Sequence, residues 1–179
     1  DAMVIRTRTR CGRALLQGSR VKFIVTATIG FDHIDTAYCQ ESGITWANCP
    51  GCNASSVMQY IHSALILLKN NRSLDFKTTT LGVVGVGHVG KKIVELGKKL
   101  GMKVMLCDPP RADIEEPESQ EEKDKTKKEK KPKKFSKLSD LAASCDIITF
   151  HTPLVRQGKY PTFHLANQDF FTSLECRPI

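Results

Sequence analysis

The chain has 179 residues, of which 40% are hydrophobic and 26% charged, and its formal net charge is +8. This length suits one full domain or two small ones, and the composition excludes a chain that is disordered or collagen-like throughout. The longest uninterrupted apolar run has five residues, Ala64 to Leu68, against the roughly 20 that a membrane-spanning helix needs, so the sequence predicts no membrane segment.

Short strands and helices alternate over the first 50 residues. Strands are predicted at 3–6, 21–26 and 44–47, and helices at 13–17 and 35–42. A β-α-β-α-β alternation is typical of a mostly parallel sheet. Thr26-Ala27-Thr28-Ile29-Gly30 follows the second strand, where its small side chains and exposed amides fit an anion site or an ordinary strand edge equally well.

Cys49-Pro50-Gly51-Cys52 is a CxxC motif, which occurs in redox pairs and in halves of zinc sites. A zinc site needs a second pair of ligands, and the sequence offers none at ligand spacing; its five histidines are dispersed. We interpret the motif as a turn and predict no metal site. Because the seven cysteines are odd in number and scattered, and the amino terminus carries no secretory signal, we expect free thiols and a cytoplasmic protein.

A helix is predicted over 54–69, after the turn. Its apolar residues recur at helical spacing, and further apolar residues widen that stripe, so we expect the helix to be buried on most sides and to link two modules. The spaced residues are Val57, Ile61, Ala64, Leu65 and Leu68, and the further ones are Met58, Tyr60, Ile66 and Leu67.

A second alternation follows. Strands are predicted at 81–84, 103–107 and 146–150, and helices after the first glycine turn, at 138–144 and near 168–173, with Pro178-Ile179 at the start of another strand. The first of these helices ends at Gly101, a suitable C′ residue. Residues 115–134 hold eight lysines and seven acidic residues but no apolar residue other than proline, which predicts a solvated, mobile loop.

Gly85-Val86-Gly87-His88-Val89-Gly90 is a GxGxxG motif between a predicted strand and a helix. In this context the first glycine permits a tight turn, the second lets the backbone approach a pyrophosphate, and the third lets the helix pack closely on the strand. Asp108 ends the next strand, where a carboxylate suits the free 2′-hydroxyl of NAD and repels the 2′-phosphate of NADP. Arg111 would soften that preference, but we expect Pro109 and Pro110 to direct it outward.

Gly85, Asp108 and His151-Thr152-Pro153 each directly follow a predicted strand. Ligands of doubly wound sheets bind beyond the carboxyl ends of the strands, so these three points are expected to share one edge. Thr152 is therefore a candidate cofactor contact, or else part of an ordinary turn held by Pro153.

These segments resemble the D-isomer-specific 2-hydroxyacid dehydrogenases. The resemblance covers nearly the whole chain and is carried by five stretches: VKFIVTATIGFDHID at 21–35, PGCN at 50–53, LGVVGVGHVG at 81–90, LCDPPRAD at 106–113 and ITFHTPL at 148–154. It implies an incomplete Rossmann-like doubly wound parallel sheet, preceded by part of a flavodoxin-like substrate domain. The implied domains are a partial substrate domain at 1–53, a linking helix at 54–75 and a partial NAD-binding domain at 76–179.

The resemblance also implies hydride transfer from C2 of a phosphorylated 2-hydroxy acid to NAD. Thr7 and Thr28 are implied to contact the substrate, and His88, Val89, Asp108 and Thr152 to join the three glycines in binding NAD. The family's catalytic arginine, glutamate and histidine are expected beyond Ile179, so no catalytic residue is assigned, and the sequence is interpreted as a fragment of a homodimeric enzyme.

Three alternatives stay open from the sequence. One is another member of the family, acting on phosphoglycerate, glycerate or lactate. A second is a non-catalytic NAD-sensing regulator on the same scaffold, like the C-terminal-binding-protein corepressors. A third is nucleic-acid binding by the lysine-rich segment, which is disfavoured because its interleaved acids cancel most of its charge. We therefore expect neither a nucleic-acid nor a membrane partner.

Overall fold

The computed structural model describes residues 1–116 and 134–174. The chain divides into two compact units, Asp1–Val57 and Met58–Ile179, and each contains a three-stranded parallel sheet. Both sheets are flanked by helices, so the predicted α/β class is confirmed. Of the described helices, none is long and apolar enough to cross a membrane.

The elements of the first unit are β1 (Ala2–Ile5), α1 (Arg13–Leu16), β2 (Phe23–Thr26), α2 (Thr36–Glu41) and β3 (Thr45–Ala47). Its sheet has the order β1-β2-β3, with every pair parallel. β2 is central, and its Ile24 is fully buried in a core that also holds Ile5 and Ile44. The Asp35 side chain caps α2 by accepting a hydrogen bond from the backbone nitrogen of Tyr38, at 2.9 Å.

The described elements of the second unit are β4 (Thr80–Val84), α4 (His88–Lys99), β5 (Lys103–Cys107), α5 (Pro109–Glu115), α6 (Leu138–Ser144), β6 (Ile147–Phe150) and α7 (Gln168–Thr172). Its sheet has the order β5-β4-β6, again parallel throughout. The four residues from Leu81 to Val84 are all buried because β4 lies between two strands and beneath α4, which explains its unbroken apolar sequence. Gly101 follows α4 with φ +81°, in the C′ position predicted for it.

The helix α3 (Ala54–Arg72) differs from its prediction. One face packs against the core of the second unit through Leu65, Ile61 and neighbouring apolar residues. The expected burial on most sides is wrong, since Tyr60 is 73% and Leu67 60% exposed. A helix that contacts a single core buries a single stripe, and the apolar residues outside that stripe face away from it.

Two further predictions fall on residues that the structure does not describe. Apart from its ends, the charged loop predicted at 115–134 lies outside the described residues. The strand predicted to begin at Pro178-Ile179 also lies outside them. Both therefore stay predictions.

Candidate functional site

The carboxyl ends of three parallel strands meet at one edge of the second sheet. Val84 at the end of β4 is paired with Cys107 of β5 and with Phe150 of β6. Gly85, Asp108 and His151 are each the next residue along the chain. The convergence predicted from the sequence is confirmed.

Gly85 is the first glycine of the turn, and its conformation excludes a side chain. Its φ is +85°, and its nitrogen donates to the Cys107 carbonyl at 2.8 Å. A Cβ at this position would lie 2.7 Å from the carbonyl oxygen of His151 and 3.0 Å from Cγ2 of Thr152. Thr152 therefore lies directly against the glycine turn, where it was predicted to be.

Gly87 and Gly90 serve opposite needs at the start of α4. Gly87 is the N-cap and has no side chain to cap the helix, and a Cβ at this position would have no atom of residues 1–116 or 134–174 within 4 Å. A Cβ on Gly90 would overlap the carbonyl oxygen of Gly85. The first turn of a 12-residue helix thus presents backbone N–H groups and a partial positive charge to an open approach, as a pyrophosphate requires.

His88 and Val89 form the first turn of α4 but differ in exposure. The His88 side chain is exposed, whereas the Val89 side chain packs against the core of the second unit. If Val89 contacts a dinucleotide, its backbone nitrogen is the group available to do so.

The Asp108 carboxylate bridges the glycine turn and the next helix. Oδ2 accepts from the backbone nitrogen of Val86 at 2.7 Å, and Oδ1 accepts from that of Arg111 at 3.2 Å. Asp108 is thereby the N-cap of α5, a helix that was not predicted from the sequence. A carboxylate offers about four acceptor positions, so two are left for the hydroxyls of a ribose.

Arg111 does not point outward, so that expectation is wrong. Its Nη1 donates to the Val86 carbonyl at 2.6 Å, and its guanidinium carbon lies 5.6 Å from the centre of the Phe135 ring. Pro109 and Pro110 open α5 rather than ending the strand in an irregular turn, and the helix rotates Arg111 back onto the glycine turn. Glu115, one helical turn on, pairs with the Arg111 guanidinium.

His151 is half-buried behind the turn. Its Nε2 lies 2.8 Å from Oγ1 of Thr149. Burial lowers the pKa of His151 from its ordinary value of 6.5, because the imidazolium loses hydration that the protein does not replace. The neutral ring is therefore favoured next to the site.

The substrate residues implied by the resemblance, Thr7 and Thr28, lie in the first unit. β1 and β2 are parallel, with Ile5 paired to Thr26, and each threonine lies two residues beyond a member of that pair. The structure thus brings both to the carboxyl edge of the first sheet. Thr7 is exposed in a turn, and Thr28 is half-buried.

A chain of hydrogen bonds fixes the proton positions around Thr28. Thr28 Oγ1 donates to the Gly30 carbonyl at 2.9 Å, so its bond to Thr26 Oγ1, at 2.7 Å, uses a Thr26 proton. Thr26 then has no second proton, and the buried His33 must donate to it from Nε2, at 3.0 Å. The His33 Nδ1 is buried and has no hydrogen-bond partner among the residues that the structure describes. The sequence did not predict a role for His33. The one feature that pointed to it was its hydrogen-bond partner Thr26, which ends a predicted strand.

The CxxC motif lies beside the same loop and has the geometry of a turn. The Cys49 nitrogen donates to the Thr28 carbonyl at 3.0 Å, and the Cys52 nitrogen donates to the Cys49 carbonyl at 3.3 Å. A hydrogen bond with the Cys52 thiol raises the pKa of Cys49, which disfavours the thiolate that redox chemistry needs. Within residues 1–116 and 134–174, no cluster of three His, Cys, Asp or Glu could hold a metal ion.

This fold and this glycine turn agree with a family match. Residues 1–173 match the family described as "D-isomer specific 2-hydroxyacid dehydrogenase, catalytic domain", and the chain belongs to that family. An erythronate-4-phosphate dehydrogenase from Bacteroides fragilis is 54% identical over 175 residues, which are 98% of this chain and 46% of the relative. The chain therefore spans about half the length of the curated relatives it matches.

Solved structures agree at the level of the fold. D-2-hydroxyisocaproate dehydrogenase aligns with a TM-score of 0.71 and 21% identity over 97% of this chain and 54% of that chain. The NAD⁺-bound 3-phosphoglycerate dehydrogenase of Entamoeba histolytica aligns with a TM-score of 0.62 and 26% identity over 87% of this chain and 47% of its own.

Proposed function

We propose that the full-length protein carrying this chain is an NAD-dependent erythronate-4-phosphate dehydrogenase. The observation that most directly supports a dinucleotide site is the shape of the glycine turn. Gly85 admits no side chain, and Gly90 leaves no room for a Cβ beside the Gly85 carbonyl. Gly87, at a helix start without a side-chain cap, has no described atom near the position of a Cβ. The similarity to the Bacteroides fragilis enzyme supports the choice of substrate. Residues 76–179 then belong to the NAD-binding domain, residues 1–53 to the substrate domain, and 54–75 to the helix that links them.

The second unit binds the dinucleotide through its backbone and one carboxylate. The N–H groups of Gly87, His88 and Val89 donate to the pyrophosphate, and Asp108 accepts from the adenosine ribose. Thr152 contacts the cofactor from β6. When bound, NAD⁺ supplies the acceptor for a hydride.

The proposed substrate is 4-phospho-D-erythronate. Oxidation at C2 moves a hydride to NAD⁺ and releases the hydroxyl proton, giving 2-oxo-3-hydroxy-4-phosphobutanoate, a step of pyridoxal 5′-phosphate biosynthesis. Thr7 and Thr28 contact the substrate, and Thr28 can donate to it only by giving up its bond to the Gly30 carbonyl. We assign proton abstraction to no residue of this chain. We further propose that the enzyme is a cytoplasmic homodimer with neither a nucleic-acid nor a membrane partner.

The test is turnover by the full-length gene product. NADH formation is followed with 4-phosphoerythronate, 3-phosphoglycerate, glycerate and D-lactate in parallel. The proposal predicts that kcat/KM is highest for 4-phosphoerythronate. A preference for another acid would assign the protein to another activity of the family, and tight NAD binding without turnover of any acid would indicate a regulator.

A further inference from the structure

The structure points to Glu115 as a residue that sets the choice between NAD and NADP. We propose that it disfavours the 2′-phosphate of NADP by engaging the Arg111 guanidinium, which lies beside the position proposed for the adenosine ribose. This inference rests on the proposed function only in placing a dinucleotide at the glycine turn.

Asp108 and Arg111 bind the two consecutive peptide groups that flank Val86 in the glycine turn. The Asp108 carboxylate takes the Val86 N–H, and the Arg111 guanidinium donates to the Val86 carbonyl. A negative and a positive group therefore both lie within one hydrogen bond of Val86, at the strand edge where the ribose binds in such folds. Asp108 alone would exclude a phosphate, whereas Arg111 alone would attract one.

Glu115 pairs with Arg111 and so reduces the positive charge that a ligand at this edge would meet. Its Oε1 accepts from Nε of Arg111 at 2.8 Å and also from Nη2, so it grips one edge of the guanidinium with a single oxygen. Its Oε2 accepts from Nζ of Lys134 at 2.6 Å. Arg111 and Lys134 also lie over the Phe135 ring, at 5.6 and 5.1 Å from its centre. All three nitrogens of the guanidinium are thus engaged within the protein.

An engaged guanidinium is a poor phosphate site. Arginine frequently binds phosphate through two parallel N–H donors, and a carboxylate paired with the guanidinium occupies donors and offsets the positive charge that attracts phosphate. A 2′-phosphate brings an additional charge of about −1.5 to −2. It would meet Asp108 and Glu115 as well as Arg111, whereas the neutral 2′-hydroxyl of NAD meets no such repulsion and can donate to Asp108.

Removing the Glu115 charge is expected to release Arg111. In the full-length protein, Glu115→Gln should tighten NADP binding about three- to tenfold, the range for losing one partly exposed ion pair, and leave the Kd for NAD within about twofold. The Kd values are measured by isothermal titration calorimetry with the oxidised dinucleotides, so the readout does not depend on turnover.

Two further variants separate this effect from a general change of charge. Asp113→Asn removes the same charge from the same helix, but Asp113 pairs with Lys159 and Tyr160 instead of Arg111, so its NADP affinity should match that of the wild type. Adding Arg111→Gln to Glu115→Gln should abolish the gain. The inference is overturned if Glu115→Gln binds NAD normally and NADP no better, if Asp113→Asn gives the same gain, or if the gain survives without Arg111. A wild type that binds neither dinucleotide would instead overturn the proposed function.

Discussion

At the scale of single residues, Asp108 makes two structural hydrogen bonds and is also proposed to bind the cofactor. It holds the Val86 N–H at 2.7 Å, which shapes the glycine turn, and it caps α5 through the Arg111 nitrogen. The same carboxylate is the proposed ribose ligand. Its substitution should therefore affect both dinucleotide affinity and helix stability.

Asp108→Ala should weaken NAD binding by about 1.5–3 kcal/mol, the range for a hydrogen bond to a charged group, and should narrow the preference for NAD over NADP. Loss of the cap should lower the free energy of unfolding by about 1 kcal/mol. Titration with both dinucleotides and urea unfolding measure the two effects. Asp113→Ala is the matched control, because Asp113 contacts Lys159 and Tyr160 instead of the turn. An unchanged cofactor preference would show that Asp108 is not the ribose ligand.

His151 should make the stability of the second unit depend on pH. Burial lowers its pKa below the 6.5 of the unfolded chain, so the unfolded state binds more protons as the pH falls through that value. The free energy of unfolding should therefore decrease between pH 7 and pH 5. His151→Gln should flatten this dependence in urea unfolding, whereas His62→Gln, on the exposed face of α3, should not. Equal pH slopes for His151→Gln and the wild type would show that His151 does not cause this pH dependence.

At the scale of elements, the close contact between α4 and the turn after β4 predicts different effects of alanine at Gly87 and Gly90. Gly90→Ala should destabilise the protein by about 1–3 kcal/mol, because a Cβ there would overlap the Gly85 carbonyl. Gly87→Ala should cost less, about 0.5–1 kcal/mol, because alanine is a poorer N-cap than glycine but a φ of −78° and surroundings free of described atoms accept its Cβ. It should nevertheless weaken NAD binding. Thermal unfolding and NAD titration of both variants test this. Normal NAD affinity in Gly87→Ala would contradict a close approach of the pyrophosphate.

The elements also show what sequence patterns can and cannot predict. The strand–turn–helix around Gly85 was predictable because its periodicity, its glycines and the end at Gly101 all agree. Helix α5 was missed although its start carries a recognised signal, an aspartate N-cap followed by proline at N1. The orientation of Arg111 was beyond prediction, because it depends on contacts with Val86 and Phe135 that are distant along the chain. The one sequence feature consistent with the ion pair between Arg111 and Glu115 is their four-residue spacing, because residues four apart are neighbours on a helix.

At the scale of the whole molecule, the two units have separate cores. Ile24 is fully buried in the first unit and Ile93 in the second, in clusters that share no residue. Ile24→Ala and Ile93→Ala should each cost about 2–5 kcal/mol, but each loss should be local to its own unit. Hydrogen exchange should show faster exchange in β1 and β2 for the first variant and in β4 and α4 for the second. Equal loss of protection in both units from either variant would contradict independent cores.

The proposed function depends on a dinucleotide binding at the glycine turn of the second unit. A crystal structure of the full-length protein with NAD tests this. Pyrophosphate oxygens are expected within hydrogen-bonding distance of the backbone nitrogens at 87–89, and a ribose hydroxyl on the Asp108 carboxylate. A dinucleotide bound elsewhere, or an empty turn at millimolar NAD, would contradict that expectation.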